Sequence, residues 1–128
     1  MPLSSSTKQL PNQFLRLCID VALVLIFIAI GLMSHGEDLS DILRASAPFL
    51  ASALSAHILI WVINTRRNLP LMAEAIIVWS ITLVVGMALR ISFGDTAATA
   101  FVIVSTLTLF VFLVGWRLII IFVGRSRR

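Results

Sequence analysis

The sequence predicts an all-α integral membrane protein, and three observations support this fold class. First, 59% of the 128 residues are hydrophobic and the mean hydropathy is +1.05. Second, only 12% of the residues are charged, whereas soluble domains carry about 25%. Third, the apolar residues fall into four runs, each near the ~20 residues that cross a bilayer. A soluble domain of this size cannot bury so much apolar surface. The composition therefore excludes a soluble enzyme, a disordered chain and a nucleic-acid-binding module.

The four apolar runs predict four transmembrane helices joined by short loops. Their approximate bounds are 14–33, 45–64, 71–91 and 97–123. Short loops join antiparallel neighbours, so we expect an antiparallel four-helix membrane domain over residues 14–124. Residues 1–13 are Ser-rich and broken by two prolines, which predicts a disordered cytoplasmic tail. Residues 125–128 form a short basic cytoplasmic tail.

The basic residues are distributed asymmetrically between the two sides of this predicted bundle. With the N-terminus inside, eight lie on the inner side: Lys8, Arg16, Arg66, Arg67, Arg117, Arg125, Arg127 and Arg128. Only Arg44 and Arg90 lie on the outer side. The positive-inside rule then places both termini in the cytoplasm, with Trp61 and Trp116 in the aromatic belt of that interface. The pI of about 11.1 therefore reflects topology, and we expect no nucleic-acid partner.

Four ionisable residues interrupt the apolar runs at membrane depth: Asp20, His57, Glu74 and Arg117. A charge there costs about 2.5–3.5 kcal/mol on insertion scales, so each needs a partner or a role. Because the helices alternate in direction, all four are expected in the inner half of the bilayer at similar depths. Two interpretations stay open. In one, Asp20 and Glu74 pair with Arg117 and the Arg66-Arg67 loop as a structural layer. In the other, Asp20 and His57 form a protonatable site.

A second polar group is predicted at the outer rim of the bundle. It consists of His35, Glu37, Arg90 and Asp95. Glu37 and Arg90 are expected to pair across the rim, where an anionic lipid headgroup could replace the glutamate. A solvated pair of this kind contributes little to stability.

Small residues on predicted helix 2 indicate a packing face. Ala47, Ala51 and Ser55 recur at four-residue spacing, and Gly86 adds a small position on helix 3. Small residues let membrane helices approach closely. We therefore expect this face of helix 2 to contact another helix, either of the same chain or of a second copy.

The sequence contains no motif typical of catalysis or cofactor binding. A Gly-rich phosphate loop, a Cys/His metal cluster and a Ser-His-Asp set are all missing from the sequence, and these are the common carriers of such chemistry. We therefore expect a protein that is not an enzyme, with no catalytic residue, no cofactor and no metal.

Several of these residues together also resemble a known family. They are Asp20, Ser34-His35-Gly36-Glu37, Pro48-Phe49-Leu50, Trp79, Gly86-Met87-Ala88-Leu89-Arg90, Phe101-Val102-Ile103-Val104 and Gly115-Trp116-Arg117. Over about residues 14–120 the chain resembles domain-of-unknown-function family 3054, a family of small four-helix bacterial and archaeal membrane proteins. The resemblance implies a four-helix membrane architecture in the bacterial cytoplasmic membrane. It implies no activity, because none is assigned to the family.

The leading hypothesis for function is a non-catalytic interaction or accessory membrane protein. Its partners would be the lipid bilayer and either a second copy, forming a homodimer, or another membrane protein. The alternative is a small proton-coupled transporter that acts as a dimer. In that case Asp20 would carry the proton, His57 would relay it, and Arg117 would tune the charge.

Overall fold

The computed structural model describes residues 12–34, 36–94 and 99–126, which form helices joined by short loops, with no strand among them. The helices are α1 (Gln13–Ser34), α2 (Ile42–Asn64), α3 (Leu71–Ser92), α4 (Thr99–Leu109) and α5 (Gly115–Ser126). A 3-10 turn, Leu39–Asp41, precedes α2, and a π-helical segment, Phe110–Val114, joins α4 to α5. We call α4, the π-helical segment and α5 together the fourth span.

The prediction of an all-α protein with four membrane-spanning helices is confirmed. Four spans are long and apolar enough to cross a bilayer: Gln13–Ser34, Leu39–Asn64, Leu71–Ser92 and Thr99–Gly124. Helices α1 and α3 begin and end within one residue of the predicted bounds, while α2 begins three residues earlier than predicted. Of the two predicted tails, residues 1–11 and 127–128 lie outside the described residues, while Gln13 belongs to α1 and residues 125–126 belong to α5. The orientation with both termini inside stays a prediction.

Glycine and proline residues mark several of the helix ends. Gly36 has a φ of +69° and Gly94 a φ of +94°, a left-handed conformation that favours glycine and closes helix C-termini. Just beyond α1, the Glu37 backbone N–H donates to the Leu32 carbonyl at 2.8 Å, which satisfies one of the last carbonyls of the helix. Pro70 immediately precedes α3. These short connections reverse the chain direction and give antiparallel neighbours.

The spans pack as a sequential ring, α1 on α2, α2 on α3, α3 on the fourth span, and the fourth span back on α1. The contact between α2 and α3 is the most extensive, and that between α1 and the fourth span is the least. We call the end that holds the start of α1, loop 65–70 and the end of α5 the terminal end. The opposite end, with residues 36–41 and 93–94, is the distal end.

An aromatic layer fills the distal half of the core. The rings of Phe27, Phe49 and Phe101 lie with their centroids 6.2–6.5 Å apart. Gly86 on α3 faces Phe49, and a Cβ atom at Gly86 would lie 2.6 Å from the ring Cδ1. The missing side chain at Gly86 is therefore what lets the Phe49 ring approach α3, as expected of a small packing residue.

The predicted packing face of α2 is turned away from the bundle. Ala47, Ala51 and Ser55 are all exposed, so the interpretation that this face contacts a helix of the same chain is wrong. Helix α2 instead packs through a neighbouring face that includes Ser52 and Ala56, both fully buried. Small residues occur all round this half of α2, which is why spacing alone selected the wrong face. Contact with a second copy or another protein stays a prediction.

The fourth span is not the uninterrupted α-helix that the apolar run predicts. It widens into the π-helical segment Phe110–Val114, and such segments often occur at functional sites. One turn before it, the Trp79 indole N–H donates to the Thr106 carbonyl at 3.1 Å, and the Trp79 ring meets Phe110 edge-on at 5.0 Å. The extra residue in a π-helical turn changes the direction of the side chains that follow, including Arg117.

Candidate functional site

The terminal half of the bundle encloses ionisable side chains from every span. We define the charge cluster as Asp20 and Arg16 of α1, His57 of α2, Glu74 of α3 and Arg117 of α5. Asp20 and Arg117 are completely buried, Glu74 is 2% exposed and His57 is 4% exposed. Buried charges of this kind require ion pairs and hydrogen bonds to offset the loss of hydration.

Arg117 is the centre of the cluster. Its guanidinium forms a two-pronged ion pair with Asp20, with Nη1–Oδ1 at 2.9 Å and Nη2–Oδ2 at 2.8 Å. The same group donates to Glu74 Oε2 from Nε at 3.1 Å and from Nη2 at 2.9 Å. A further bond runs from Nη1 to the Leu113 carbonyl at 2.9 Å, in the π-helical segment. A planar guanidinium has five N–H donors, and Arg117 uses them to join α1, α3 and the fourth span.

Glu74 has a second cationic partner. Arg16 approaches it with Nε–Oε2 at 2.8 Å and Nη2–Oε1 at 2.9 Å, and the Arg16 side chain is 14% exposed. The cluster thus contains two carboxylates and two guanidiniums. With His57 neutral, its net charge is zero.

Asp20 accepts two more hydrogen bonds in addition to those from Arg117. His57 Nε2 lies 2.7 Å from Asp20 Oδ2, and the Trp116 indole N–H donates to Asp20 Oδ1 at 2.9 Å. On the other side of the imidazole, Gln13 Nε2 lies 3.4 Å from His57 Nδ1 and donates to the His57 carbonyl at 2.8 Å. A donor at Nδ1 and an acceptor at Nε2 match the neutral Nε2–H tautomer of histidine.

The structure brings the four residues of the predicted intramembrane group, Asp20, His57, Glu74 and Arg117, into one contact network. One detail of the sequence interpretation is wrong, because Arg66 and Arg67 are exposed and take no part in the described network. The indole N–H of Trp116 joins the network by donating to Asp20. The position of Trp116 in the interfacial belt stays a prediction.

Sequence reasoning missed Arg16 and Gln13. Arg16 precedes Asp20 by one helical turn, so the two lie on one face of α1, and this spacing was a usable signal. Gln13 begins α1 and gave no comparable signal, because a polar residue at a helix start is ordinary.

A small cavity lies beside the charge cluster at the terminal end. It measures about 310 Å³ between α1 and α2, and its lining includes Gln13, Leu17, Leu54, His57 and Trp61. His57 is therefore the member of the cluster that borders both Asp20 and a cavity.

The predicted outer rim is only partly described. His35 and Asp95 lie outside the described residues. Glu37 and Arg90 line one cavity of about 380 Å³ at the distal end. The ion pairs formed among the described residues do not include one between Glu37 and Arg90. The Arg90 guanidinium lies over the Phe101 ring, 4.4 Å from its centroid.

Two buried hydroxyl groups lie in the apolar core between the charge cluster and the distal cavity. Within the described residues, Thr82 Oγ1 and Ser105 Oγ are buried without a hydrogen-bond partner. Over the same part of the chain, no group of three or more His, Cys, Asp or Glu side chains could hold a metal ion.

Fold and site together define a multi-pass membrane protein, a four-helix bundle with a buried network of ion pairs near one end. The sequence profile of DUF3054, a family described as proteins of unknown function, matches residues 17–120. The chain belongs to this family, as its resemblance indicated. The matched range includes every residue of the charge cluster except Arg16. No curated protein and no solved structure matches the chain significantly.

Proposed function

We propose that the protein is a non-catalytic accessory membrane protein that acts through contact with other components of the bacterial cytoplasmic membrane. The observation that supports this proposal is the complete pairing of the charge cluster. Each carboxylate oxygen of Asp20 accepts two hydrogen bonds, and both oxygens of Glu74 accept donors from arginine.

A carboxylate in this state is a poor proton carrier. A proton arriving at either Asp20 oxygen would have to displace a donor from Arg117, Trp116 or His57. Displacing one partner of a buried ion pair leaves the other charge uncompensated, which costs about 3–5 kcal/mol. The network therefore suits a structural role, in which it holds the terminal ends of the four spans in one arrangement.

The small, fully helical architecture supports the same proposal. Almost all of the described chain belongs to the four spans, so its interactions would occur within or at the surface of the membrane. We infer that it has no catalytic residue and no nucleic-acid partner. Its N- and C-termini would be cytoplasmic, according to the distribution of basic residues.

A second candidate function is a small proton-coupled transporter that acts as a dimer. The observation that favours it is the position of His57, which is 2.7 Å from Asp20 and lines the cavity at the terminal end. A neutral imidazole has one nitrogen that can accept a proton and one that can donate a proton. In this candidate His57 would pass a proton between the cavity and Asp20, while Arg117 would tune the affinity of Asp20 for it.

The experiment that separates the two functions is a proton-flux measurement in proteoliposomes with an internal pH dye under an imposed membrane potential. The proteins compared are wild type, Asp20→Asn and the matched control Asp41→Asn. Asp41 is an aspartate of the distal 3-10 turn whose side chain is 45% exposed. Thermal unfolding of each variant in detergent is measured alongside.

For an accessory protein, all three liposome preparations show the proton leak of empty liposomes, and Asp20→Asn alone unfolds at a lower temperature. The transporter is favoured instead if wild type and Asp41→Asn conduct protons and a well-folded Asp20→Asn does not. That outcome would contradict the proposed function.

A further inference from the structure

The two halves of the fourth span share one inward face. Ser105 and Leu109 of α4 and Arg117 of α5 are all completely buried. Arg117 follows Ser105 by 12 residues. In an uninterrupted α-helix, which turns about 100° per residue, these two side chains would point about 120° apart. The burial of both therefore requires a change of helical phase between them.

The π-helical segment Phe110–Val114 supplies this change of phase. A single π-helical turn acts as one residue inserted into an α-helix, because its hydrogen bonds join residues i and i+5 instead of i and i+4. Without the inserted residue, Ser105 and Arg117 are 11 positions apart and point within about 20° of each other. The segment thus turns α5 by about 100° from the direction that an uninterrupted α-helix would give it.

The exposed side of the fourth span shows the same change of phase. Leu107 of α4 and Ile119 of α5 are 63% and 64% exposed, and they too are 12 residues apart. An uninterrupted α-helix would instead turn Leu118 toward the side of Leu107, but Leu118 is partly buried. The inward and outward faces therefore agree on one inserted residue.

Arg117 connects the π-helical segment to the charge cluster. Its Nη1 donates both to the Leu113 carbonyl within the segment and to Asp20 Oδ1, each at 2.9 Å. Without the inserted residue's change of phase, Trp116 would take the inward direction and Arg117 would point about 100° away from it. The hydrogen bonds and ion pairs of Arg117 therefore favour the π-helical form of the segment.

We propose that the fourth span is a two-state element controlled by the charge cluster. In the state that the structure shows, the ion pairs of Arg117 with Asp20 and Glu74 hold the segment in its π-helical form. When Arg117 loses these partners, the segment becomes α-helical, which is the ordinary conformation, since π-helical turns are rare. Helix α5 then rotates by about 100° and moves by about 1.5 Å relative to α4.

The rotation changes the side chains that α5 presents to the membrane. In the structure Ile119, Phe122 and Val123 are exposed. In the α-helical state the exposed positions move one residue toward the N-terminus, to Leu118, Ile121 and Phe122. A change of charge in the buried cluster thereby alters the surface that a neighbouring membrane component would contact. The two-state element requires neither of the candidate functions.

The first test is the deletion of one residue from the π-helical segment. Val111 is 63% exposed, so its deletion takes no side chain from the core. The shortened segment becomes α-helical while α5 keeps its present direction, and this variant should unfold in detergent close to the temperature of wild type. The matched control is the deletion of Val84, which is 65% exposed on α3. Because α3 has no π-helical segment, that deletion turns Gly86 away from Phe49 and should be far more destabilising.

The second test measures the direction of α5 with a nitroxide spin label in proteoliposomes. The label is attached to Leu118→Cys or to Ile119→Cys, in a chain in which Cys18→Ala removes the exposed natural cysteine. Molecular oxygen concentrates in hydrocarbon, so it collides often with a label that faces lipid and rarely with a label that faces the bundle. The ratio of oxygen accessibility at position 119 to that at position 118 reports the phase of α5.

The ratio should exceed one in wild type and in the control Asp41→Asn, and it should fall below one in Asp20→Asn. Adding the deletion of Val111 to Asp20→Asn should return the ratio above one, because the shortened span is already α-helical with α5 in its present direction. Thermal unfolding first shows that each variant is folded. If Asp20→Asn is unfolded, Asp20→Asn/Arg117→Gln replaces it with the same expected result, since that variant retains the pair of Arg16 and Glu74.

Three results would overturn the proposal. The first is a folded variant that lacks the pair of Asp20 and Arg117 but keeps a ratio above one, since α5 would then hold its direction without these ion pairs. The second is a ratio below one that the deletion of Val111 does not restore, since the change would then not arise from the inserted residue. The third is equal destabilisation by the deletions of Val84 and Val111, since the segment would then contain no inserted residue.

Discussion

The strongest prediction concerns the balance of charge between Asp20 and Arg117. Both side chains are completely buried and share two hydrogen bonds of 2.8 and 2.9 Å. Asp20→Asn leaves two arginines facing Glu74 alone, and Arg117→Gln leaves two carboxylates facing Arg16 alone. Either single substitution creates one unit of uncompensated buried charge.

The expected losses in the free energy of unfolding follow from the uncompensated charge in each variant. Removing one partner of a buried ion pair costs about 3–5 kcal/mol, most of which comes from the charge left behind. The double variant Asp20→Asn/Arg117→Gln retains the balanced pair of Arg16 and Glu74 and creates no uncompensated charge. We therefore expect the double variant to lose several kcal/mol less free energy of unfolding than the sum of the two single losses, since residues in one network couple strongly.

The assay is a double-mutant cycle on the free energy of unfolding in detergent micelles. The control cycle uses Asp41→Asn and Arg44→Gln, an exposed pair at 3.7 Å whose side chains are 45% and 60% exposed. The coupling energy of such a pair is about 1 kcal/mol or less. If the losses at Asp20 and Arg117 simply add within about 0.5 kcal/mol, charge balance is not what stabilises the cluster.

Two further predictions concern packing and hydrogen bonding. Gly86→Ala should lower the free energy of unfolding by about 1–3 kcal/mol, because the new Cβ would lie 2.6 Å from the Phe49 ring; thermal unfolding in detergent measures this. Trp116→Phe should cost about 1–3 kcal/mol, because it removes the indole N–H that donates to the buried Asp20 carboxylate; chemical unfolding followed by circular dichroism measures this.

Each of these substitutions has a matched control elsewhere in the chain. Gly124→Ala should be neutral or slightly stabilising, since a Cβ there meets no atom within 4 Å and alanine favours helix. Trp61→Phe should change stability by less than about 0.5 kcal/mol, because Trp61 is 63% exposed. Equal effects at Gly86 and Gly124, or at Trp116 and Trp61, would contradict the assigned contacts.

The fold could be predicted from the sequence because the bilayer imposes a simple length rule. An irregular backbone is unfavourable in the hydrocarbon core of a bilayer, so four apolar runs of about 20 residues are expected to form four membrane-spanning helices. The group formed by Asp20, His57, Glu74 and Arg117 was likewise predictable, since charged residues at membrane depth require partners and alternating helices place these four at one level.

Other parts of the site depend on helix rotation, which hydropathy does not determine. Arg16 lies one turn from the start of α1, where an interfacial position explains an arginine equally well. The direction of the Trp116 side chain depends on the rotation of the fourth span. The π-helical segment Phe110–Val114 changes the direction of the side chains that follow it. On α2, small residues occur on several faces, so the spacing of Ala47 and Ala51 did not identify the buried one.

The connections of Asp20 also determine the order in which the protein can mature. Its cationic partner Arg117 and its donor Trp116 follow it by 97 and 96 residues. At about 5–20 residues per second of synthesis, Asp20 is made some 5–20 s before Arg117. During that interval the nascent first helix carries an acid without its final counter-ion, so native assembly of the bundle must wait for the last helix. A chain truncated before α5 would keep α1 to α4 and still lack Trp116 and Arg117, the partners of Asp20 that complete the network.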